Sequence, residues 1–175
     1  MSRVPAVFFD RDGTLMEEVS YCGDPRQVRV YPGVPEALRK LKAAGFRIFI
    51  ISNQSGIGRG LITPEQYHAV QQELFRQIPE GSVDAAYYCD TAPGIPSTRR
   101  KPEPGMVLEA AAAFDLDLEG SYFIGDKASD IECGRRAGTR TILVRTGYGA
   151  GQRCAPDLTA VDAVEAIELV LRNAG

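Results

Sequence analysis

The sequence predicts an α/β fold, a parallel sheet covered by helices on both faces, and three observations carry that prediction. Short apolar runs suited to fully buried strands alternate with helix-length segments along the whole chain. Each of the first four runs ends in a polar cluster, where a strand of a parallel sheet hands over to a loop. The 175 residues, 44% hydrophobic and 25% charged, can build a core and leave little room for a second one, so we expect a single domain spanning 1–175.

Pro5 to Asp10 reads as a buried strand, and Phe46 to Ile51 as another. Between them, Pro32 to Ala44 puts Val34, Leu38 and Leu41 on one face and stops at Gly45, which suits a helix with a glycine C-cap. Thr63-Pro64-Glu65-Gln66 supplies an N-cap, a proline at the first helical position and a Gln three residues after the cap. The helix it opens should run to about Ile78 and leave through Pro79-Glu80-Gly81. Val83 to Cys89 is the third strand, Pro93, Gly94 and Pro96 mark a loop, and an Ala-rich helix covers Pro104 to Phe114. Ser121 to Gly125 is the fourth strand. A helix over Asp126 to Ala137 closed by Gly138, a strand over Thr141 to Val144 and a helix over Val161 to Leu171 complete the chain. Two long loops, Gly13 to Tyr31 and Asp90 to Glu103, are expected to wall a pocket.

A net charge of -3 and a pI near 5.3 supply no broad positive field for a nucleic-acid backbone, so a small phosphorylated substrate is expected and nucleic acid is not. Cys22, Cys89, Cys133 and Cys154 form no C-x-x-C pair, and neither a signal peptide nor a long apolar segment is visible. We therefore expect a reduced, cytoplasmic monomer with no membrane partner, its cysteines small packing residues and its single histidine, His68, on a helix surface.

The polar clusters carry the chemistry. Asp10 and Asp12 follow the first strand, Ser52 and Asn53 the second, Arg100 and Lys101 the third, and Asp126 and Asp130 the fourth, so all four converge on one edge of a parallel sheet. Carboxylates without a neighbouring His or Cys favour a hard cation such as Mg²⁺. The expected reaction is metal-assisted phosphoryl transfer: Asp10 attacks phosphorus and Asp12 serves as general acid and base. Mg²⁺ between Asp10 and Asp126 polarises the phosphoryl oxygens, Lys101 neutralises the remaining charge, and Ser52 and Asn53 donate hydrogen bonds. Asp130 is read as an acid that fixes Lys127 or metal-bound water. Gly56, Gly58 and Gly60 read as a flexible loop, because no G-x-x-x-x-G-K-[ST] follows. Arg59 is either a contact to a second phosphate or a surface residue, and Tyr21 and Tyr148 either line the pocket or pack in loops.

D-R-D-G-T-L from Asp10, S-N-Q from Ser52, R-K-P from Arg100 and G-D-K-A-S-D from Gly125 resemble, in order and across nearly the whole chain, the four motifs of the haloacid dehalogenase (HAD) superfamily of phosphatases. Ser52 to Gly60, Arg100-Lys101-Pro102 and Gly125-Asp126-Lys127 look like the branch that contains D-glycero-D-manno-heptose-1,7-bisphosphate 7-phosphatases and histidinol-phosphate phosphatases. The resemblance implies a three-layer, Rossmann-like (HAD-like) fold without a separate cap domain. It makes Asp10 the nucleophile, Asp12 the acid/base that also gives its backbone carbonyl to Mg²⁺, and Asp126 the third metal position. Ser52 and Lys101 match the residues that stabilise the phosphoryl group, Arg100 one that recognises substrate, and Lys127 a substrate contact. Glu18 to Tyr21 match a loop bordering the sugar, and Asn53, Gln54, Ser55 and Arg59 fall to substrate binding.

Members of this branch carry a zinc loop built from a C-x-H and a C-x-C before R-K-P; here only Cys89 is present in that region. One thiolate cannot make a tetrahedral zinc site, so no zinc is expected and Pro93, Pro96 and packing should hold the loop. The substrate this reading favours is the 7-phosphate of a heptose 1,7-bisphosphate, with Arg59, Arg99 and Arg100 suiting a second anion. Histidinol phosphate and a nucleic-acid 3′-phosphate are the alternatives within the same chemistry. The acidic balance speaks against the polymer, and the intact acids and lysine speak against a domain that only binds.

Overall fold

The computed structural model describes residues 2–175. In chain order the elements are β1 (Val4–Phe9), α1 (Val34–Ala43), β2 (Arg47–Asn53), a single-turn α2 (Ser55–Gly58), α3 (Pro64–Gln77) and β3 (Ala85–Cys89). There follow α4 (Gly105–Phe114), β4 (Leu116–Gly125), α5 (Ala128–Ala137), β5 (Arg140–Val144), β6 (Leu158–Ala160) and α6 (Ala163–Ala174).

All strand pairs are parallel, in the order β3-β2-β1-β4-β5-β6. Alternate residues of the strands feed two cores, as a sheet buried on both faces requires. Val7 and Phe9 of β1 pack with Leu38 and Leu41 of α1, Val70 and Leu74 of α3 and Ile167 and Val170 of α6. Ala6 and Phe8 face the other way, toward Met106 and Val107 of α4 and Cys133 of α5. Phe8 stacks between Phe49 and Phe123 at ring distances of 5.4 and 6.3 Å.

The caps that punctuate the sequence behave as written. Thr63 accepts from the Gln66 N–H while the Gln66 side chain accepts from the Thr63 N–H, and α1 and α5 end at Gly45 and Gly138, both with positive φ. Three features depart from the expectations. β4 starts at Leu116 rather than Ser121, because Leu116 and Asp117 pair with Val4 and Pro5 before the register shifts. β6 is a three-residue edge strand on β5. The Gly56–Gly60 loop contains a helical turn, tied down by Gly58 N–H on the Asp90 carbonyl at 3.0 Å. Cys22, Cys89 and Cys133 are buried as packing residues, but Cys154 is exposed, and so is His68.

Strand order fixes where a ligand belongs. The chain winds from β1 outward to β2 and β3, then jumps back to place β4 on the other flank of β1, which opens a crevice beyond the carboxyl ends of β1 and β4. Asp10 follows the first of these strands and Asp126 the second.

Candidate active site

Asp10 leaves β1 with its N–H on the Ile124 carbonyl of β4 at 3.0 Å, so the backbone of both strands sets its position. Lys101 reaches it from the segment before α4. Its ammonium donates to Asp10 Oδ1 at 2.9 Å, to Asp130 Oδ1 at 2.6 Å and to the Ile51 carbonyl at 2.8 Å. The backbone of Lys101 is held in turn by Asn53, whose amide accepts from the Lys101 N–H at 3.0 Å and donates to its carbonyl at 3.1 Å. The polar end of β2 thus carries the lysine of the third cluster.

Asp126 has no exposed surface. Its Oδ2 accepts from the Tyr148 N–H at 2.9 Å, while Oδ1 has no hydrogen-bond partner among the described residues. Gly13 and Gly147, both with positive φ, press so closely on Asp126 that a Cβ at either would strike Oδ2. Asp130, at the start of α5, uses one oxygen for Lys101 and the other for the Lys127 N–H at 3.1 Å. The contact to Lys127 is made through its backbone N–H, and the ion pair with the Lys101 side chain was not expected.

Oxygens of Asp10, Asp126 and Asp130 lie within 4.8 Å of one another. Burial works to raise the Asp10 carboxyl, but the charge of the Lys101 ammonium and its hydrogen bond outweigh it and hold Asp10 below the ordinary carboxylate range. Burial, then the charges of Asp10 and Asp130, push Asp126 up to about 9. Burial and Asp10 push Asp130 up to about 6 against the pull of Lys101. Lys101 is raised despite its burial, by Asp10 and Asp130. One buried ammonium does not balance three buried carboxylates. With Asp130 occupied on both oxygens, the orphaned Asp126 Oδ1 and the neighbouring Asp10 remain as ligands, and an all-oxygen donor set of this charge suits a hard divalent cation such as Mg²⁺.

The crevice opens into two adjoining hollows. One, of about 210 Å³, is lined by Asp10, Asp12, Arg100, Lys101, Lys127 and Asp130 among others. The second, of about 190 Å³, continues from Asp12 and Lys127 to Glu18, Tyr21, Gln54 and Tyr148. Asn53 and Ser55 line both. A larger surface hollow of about 590 Å³ lies between the end of α3 and β3, around Phe75 and Pro79, and gathers no comparable cluster of acids. Convergent charge, not volume, marks the site.

Tyr148 stands with Lys127 Nζ 5.0 Å from its ring centre. Tyr21 adopts φ 49° with its ring over Gly56, where a Cβ would collide. Glu18 Oε2 is buried without a partner, and burial and Asp12 raise its carboxyl. Arg100 donates to the Thr91 carbonyl at 3.0 Å. Arg59 is exposed, 6.0 Å from the Tyr21 ring centre, and does not line either hollow. Ser52 is buried beneath the cleft, its Oγ accepting from Gln54 Nε2, which also donates to Asp12 Oδ2 at 3.0 Å. The loop before R-K-P is held by hydrogen bonds. Ser97 Oγ accepts from the Arg99 and Arg100 N–H groups, and Arg99 donates to the Tyr88 carbonyl of the edge strand at 2.9 Å.

Arg11 is a residue of the site that the sequence does not announce. Arg11, between the two acids, is fully buried and forks onto Asp12 with Nε to Oδ2 at 3.0 Å and Nη2 to Oδ1 at 3.2 Å. A charged residue inside D-x-D reads as solvated from the sequence. The one available signal was that its neighbours Phe8 and Phe9 are core residues and Leu15 follows the turn.

A switch-point crevice with an acid after β1, a second after β4 and a lysine delivered between them defines a hydrolase of the HAD class, and the HAD-hydrolase-like family model matches residues 98–166. Across almost the whole chain the likeness narrows. The sequence is 37% identical to D-glycero-D-manno-heptose-1,7-bisphosphate 7-phosphatase of Chlorobaculum tepidum, covering 95% of this chain and 94% of that one. It is 38% identical to the protein of the same name from Thermosynechococcus vestitus, covering 95% of each. The crystal structure of D,D-heptose 1,7-bisphosphate phosphatase from B. bronchiseptica, complexed with magnesium and phosphate, superposes with a TM-score of 0.89 at 28% identity, over 97% of this chain and 99% of that one. The chain belongs to the HAD phosphatases, in the family of these heptose-bisphosphate phosphatases, and is a phosphoric monoester hydrolase.

Proposed function

We propose that residues 1–175 act as one catalytic domain that removes the 7-phosphate of D-glycero-D-manno-heptose 1,7-bisphosphate, and that Asp10 carries the phosphoryl group between substrate and water. The observation that supports it most is the pairing of Lys101 with Asp10, which keeps a buried carboxylate ionised and therefore nucleophilic at the mouth of the crevice. Asp10 attacks phosphorus in line, forming an Asp–O–P bond as the bond to the sugar oxygen breaks. Asp12 gives its proton to that oxygen and later takes one from the water that hydrolyses the aspartyl-phosphate.

Lys101 neutralises the phosphoryl oxygens, and the Ser52 hydroxyl, linked to Asp12 through Gln54, adds a donor. Asp10, Asp126 and the Asp12 backbone carbonyl would hold Mg²⁺, the cation present with the B. bronchiseptica relative. Bound there, Mg²⁺ would draw charge from the phosphoryl oxygens. The second hollow receives the sugar among Glu18, Tyr21, Asn53, Gln54, Ser55 and Lys127. Arg100, which lines the first hollow, faces the transferred group, and Arg59, exposed beside Tyr21, meets the distal phosphate. The relatives' names favour the heptose bisphosphate over histidinol phosphate and over a 3′-phosphorylated nucleic acid. No helix among the described residues is long and apolar enough to cross a membrane. We place the enzyme in the cytoplasm as a monomer.

The test is a side-by-side measurement of kcat/KM on heptose 1,7-bisphosphate, histidinol phosphate and a 3′-phosphorylated oligonucleotide. The heptose should lead by at least an order of magnitude. A chain that turns over either alternative faster has a different substrate.

A further inference from the structure

Arg11 is the largest fully buried side chain of the molecule. A guanidinium is expensive to remove from water unless every direction of its charge and hydrogen bonding is met, so its partners indicate its purpose. Two of its nitrogens grip both oxygens of Asp12. A third, Nη1, donates to Gln71 Oε1 at 3.2 Å, and the guanidinium carbon lies 5.4 Å from the Tyr67 ring centre. Tyr67 and Gln71 are buried, one helical turn apart on α3, and so form a single brace on one face. The Arg11 carbonyl is fixed as well, accepting from the N–H groups of Thr14, Leu15 and Met16.

Asp12 lines both hollows of the cleft, and its side chain has two free torsions. A single hydrogen bond would leave the carboxylate plane undetermined; a planar fork on both oxygens fixes it.

We propose that Arg11, braced by Gln71 and Tyr67, is a positioning residue that sets the plane of the Asp12 carboxyl from which the proton passes to the leaving oxygen. This rests on the reading of Asp12 as the acid. As the P–O bond breaks, its electron pair goes to the leaving oxygen, Asp10 takes the phosphoryl group, and the Asp12 proton neutralises the new alkoxide. A carboxyl turned out of plane leaves the first two events intact and impairs the third. Lysine at position 11 keeps the charge and loses the fork, so geometry and charge are separable.

The discriminating measurement compares kcat/KM on p-nitrophenyl phosphate and benzyl phosphate. These esters are similar in size, but the nitrophenolate leaves without a proton and the benzyl alkoxide does not. Because kcat/KM reports only steps up to phosphorylation of Asp10, the later hydrolysis does not enter. Asp12→Asn should lose about 10²- to 10⁴-fold on the benzyl ester and far less on the aryl ester. Arg11→Lys should lose at least about tenfold more on the benzyl than on the aryl ester, and Gln71→Met about threefold more. A role confined to holding the fold lowers both esters equally.

Equal losses in Arg11→Lys, with Asp12→Asn still discriminating, overturn the proposal and leave the acid in place. Equal losses in Asp12→Asn overturn the acid assignment itself. Should Arg11→Lys fail to fold by circular dichroism, Gln71→Met decides on the same criterion.

Discussion

The ammonium of Lys101 lies 2.9 Å from Asp10 Oδ1 and finds an acceptor for each of its three N–H bonds inside the protein. It serves two purposes at once, keeping the nucleophile ionised and compensating a buried acidic cluster. Lys101→Met should therefore lower kcat by about 10²- to 10³-fold and destabilise the fold by about 3–5 kcal/mol, because it leaves charges buried without their partner. Steady-state kinetics and urea denaturation read the two effects separately. Arginine at this position should not restore either, since a planar fork does not match three acceptors arranged around a point charge.

Asp10→Asn should abolish turnover while keeping the fold, because an amide cannot form the phosphoryl ester but does relieve crowding among three buried acids. Its second consequence concerns the cation. Saturating Mg²⁺ at about one hundred times its Kd should stabilise the natural chain by about 2.7 kcal/mol, and it should raise the thermal midpoint of Asp10→Asn or Asp126→Asn far less. A midpoint shift equal in all three proteins would place the ion elsewhere.

How far the sequence determines this picture differs from element to element. The inner strands and the five longer helices were legible because each strand is a contiguous apolar run and each helix carries its own punctuation, as Thr63, Gly45 and Gly138 do. β6 was not, since only Ala160 of its three residues is buried and β5 supplies the reason for it to be extended. The opening of β4 was hidden for the same reason: Asp117, Glu119 and Gly120 read as loop, and pairing with Val4 and Pro5 overrides that. At the site, the acids announced themselves by their places after strands. Their supports did not. Arg11 looks solvated in sequence, Gln71 looks like one more polar helix residue, and the clasp between Asn53 and the Lys101 backbone spans 48 positions. Local pattern reveals which groups do chemistry; long-range contact decides what holds them.

Gly147 shows how closely the acids are confined. At φ 56° its Cα lies against both Asp126 Oδ2 and Gly13, and an added Cβ would overlap each. Gly147→Ala should cost about 1–3 kcal/mol of stability from the left-handed backbone. It should also weaken Mg²⁺ binding by displacing Asp126, measurable by isothermal titration. Gly151→Ala, where nothing lies within 4 Å of the new methyl, is the control and should change neither.

Asp84 offers a pH prediction away from the site. It sits just before β3 and accepts from Lys42 Nζ at 2.9 Å, Arg47 Nη1 at 2.9 Å and the Ile48 N–H at 2.8 Å, so it joins α1, β2 and β3 at their base. Burial works to raise its carboxyl, but the Ile48 N–H, Lys42 and Arg47 outweigh it and hold it below the ordinary value. A carboxylate lowered in the folded state binds its proton later on acidification than it does in the unfolded chain. Its stabilisation is therefore complete above the ordinary carboxylate pKa of about 4 and fades as pH falls through the lowered one. Asp84→Asn should lose about 1–3 kcal/mol at pH 7 and at pH 5, measured as urea midpoints at constant m, and the gap should narrow on acidification as Asp84 takes up its proton. Unaltered kcat/KM would accompany it, because Asp84 anchors the opposite end of β2 from the one that carries Asn53. A gap that stays constant down to the most acidic folded condition would mean that Asp84 acts through packing and not through charge.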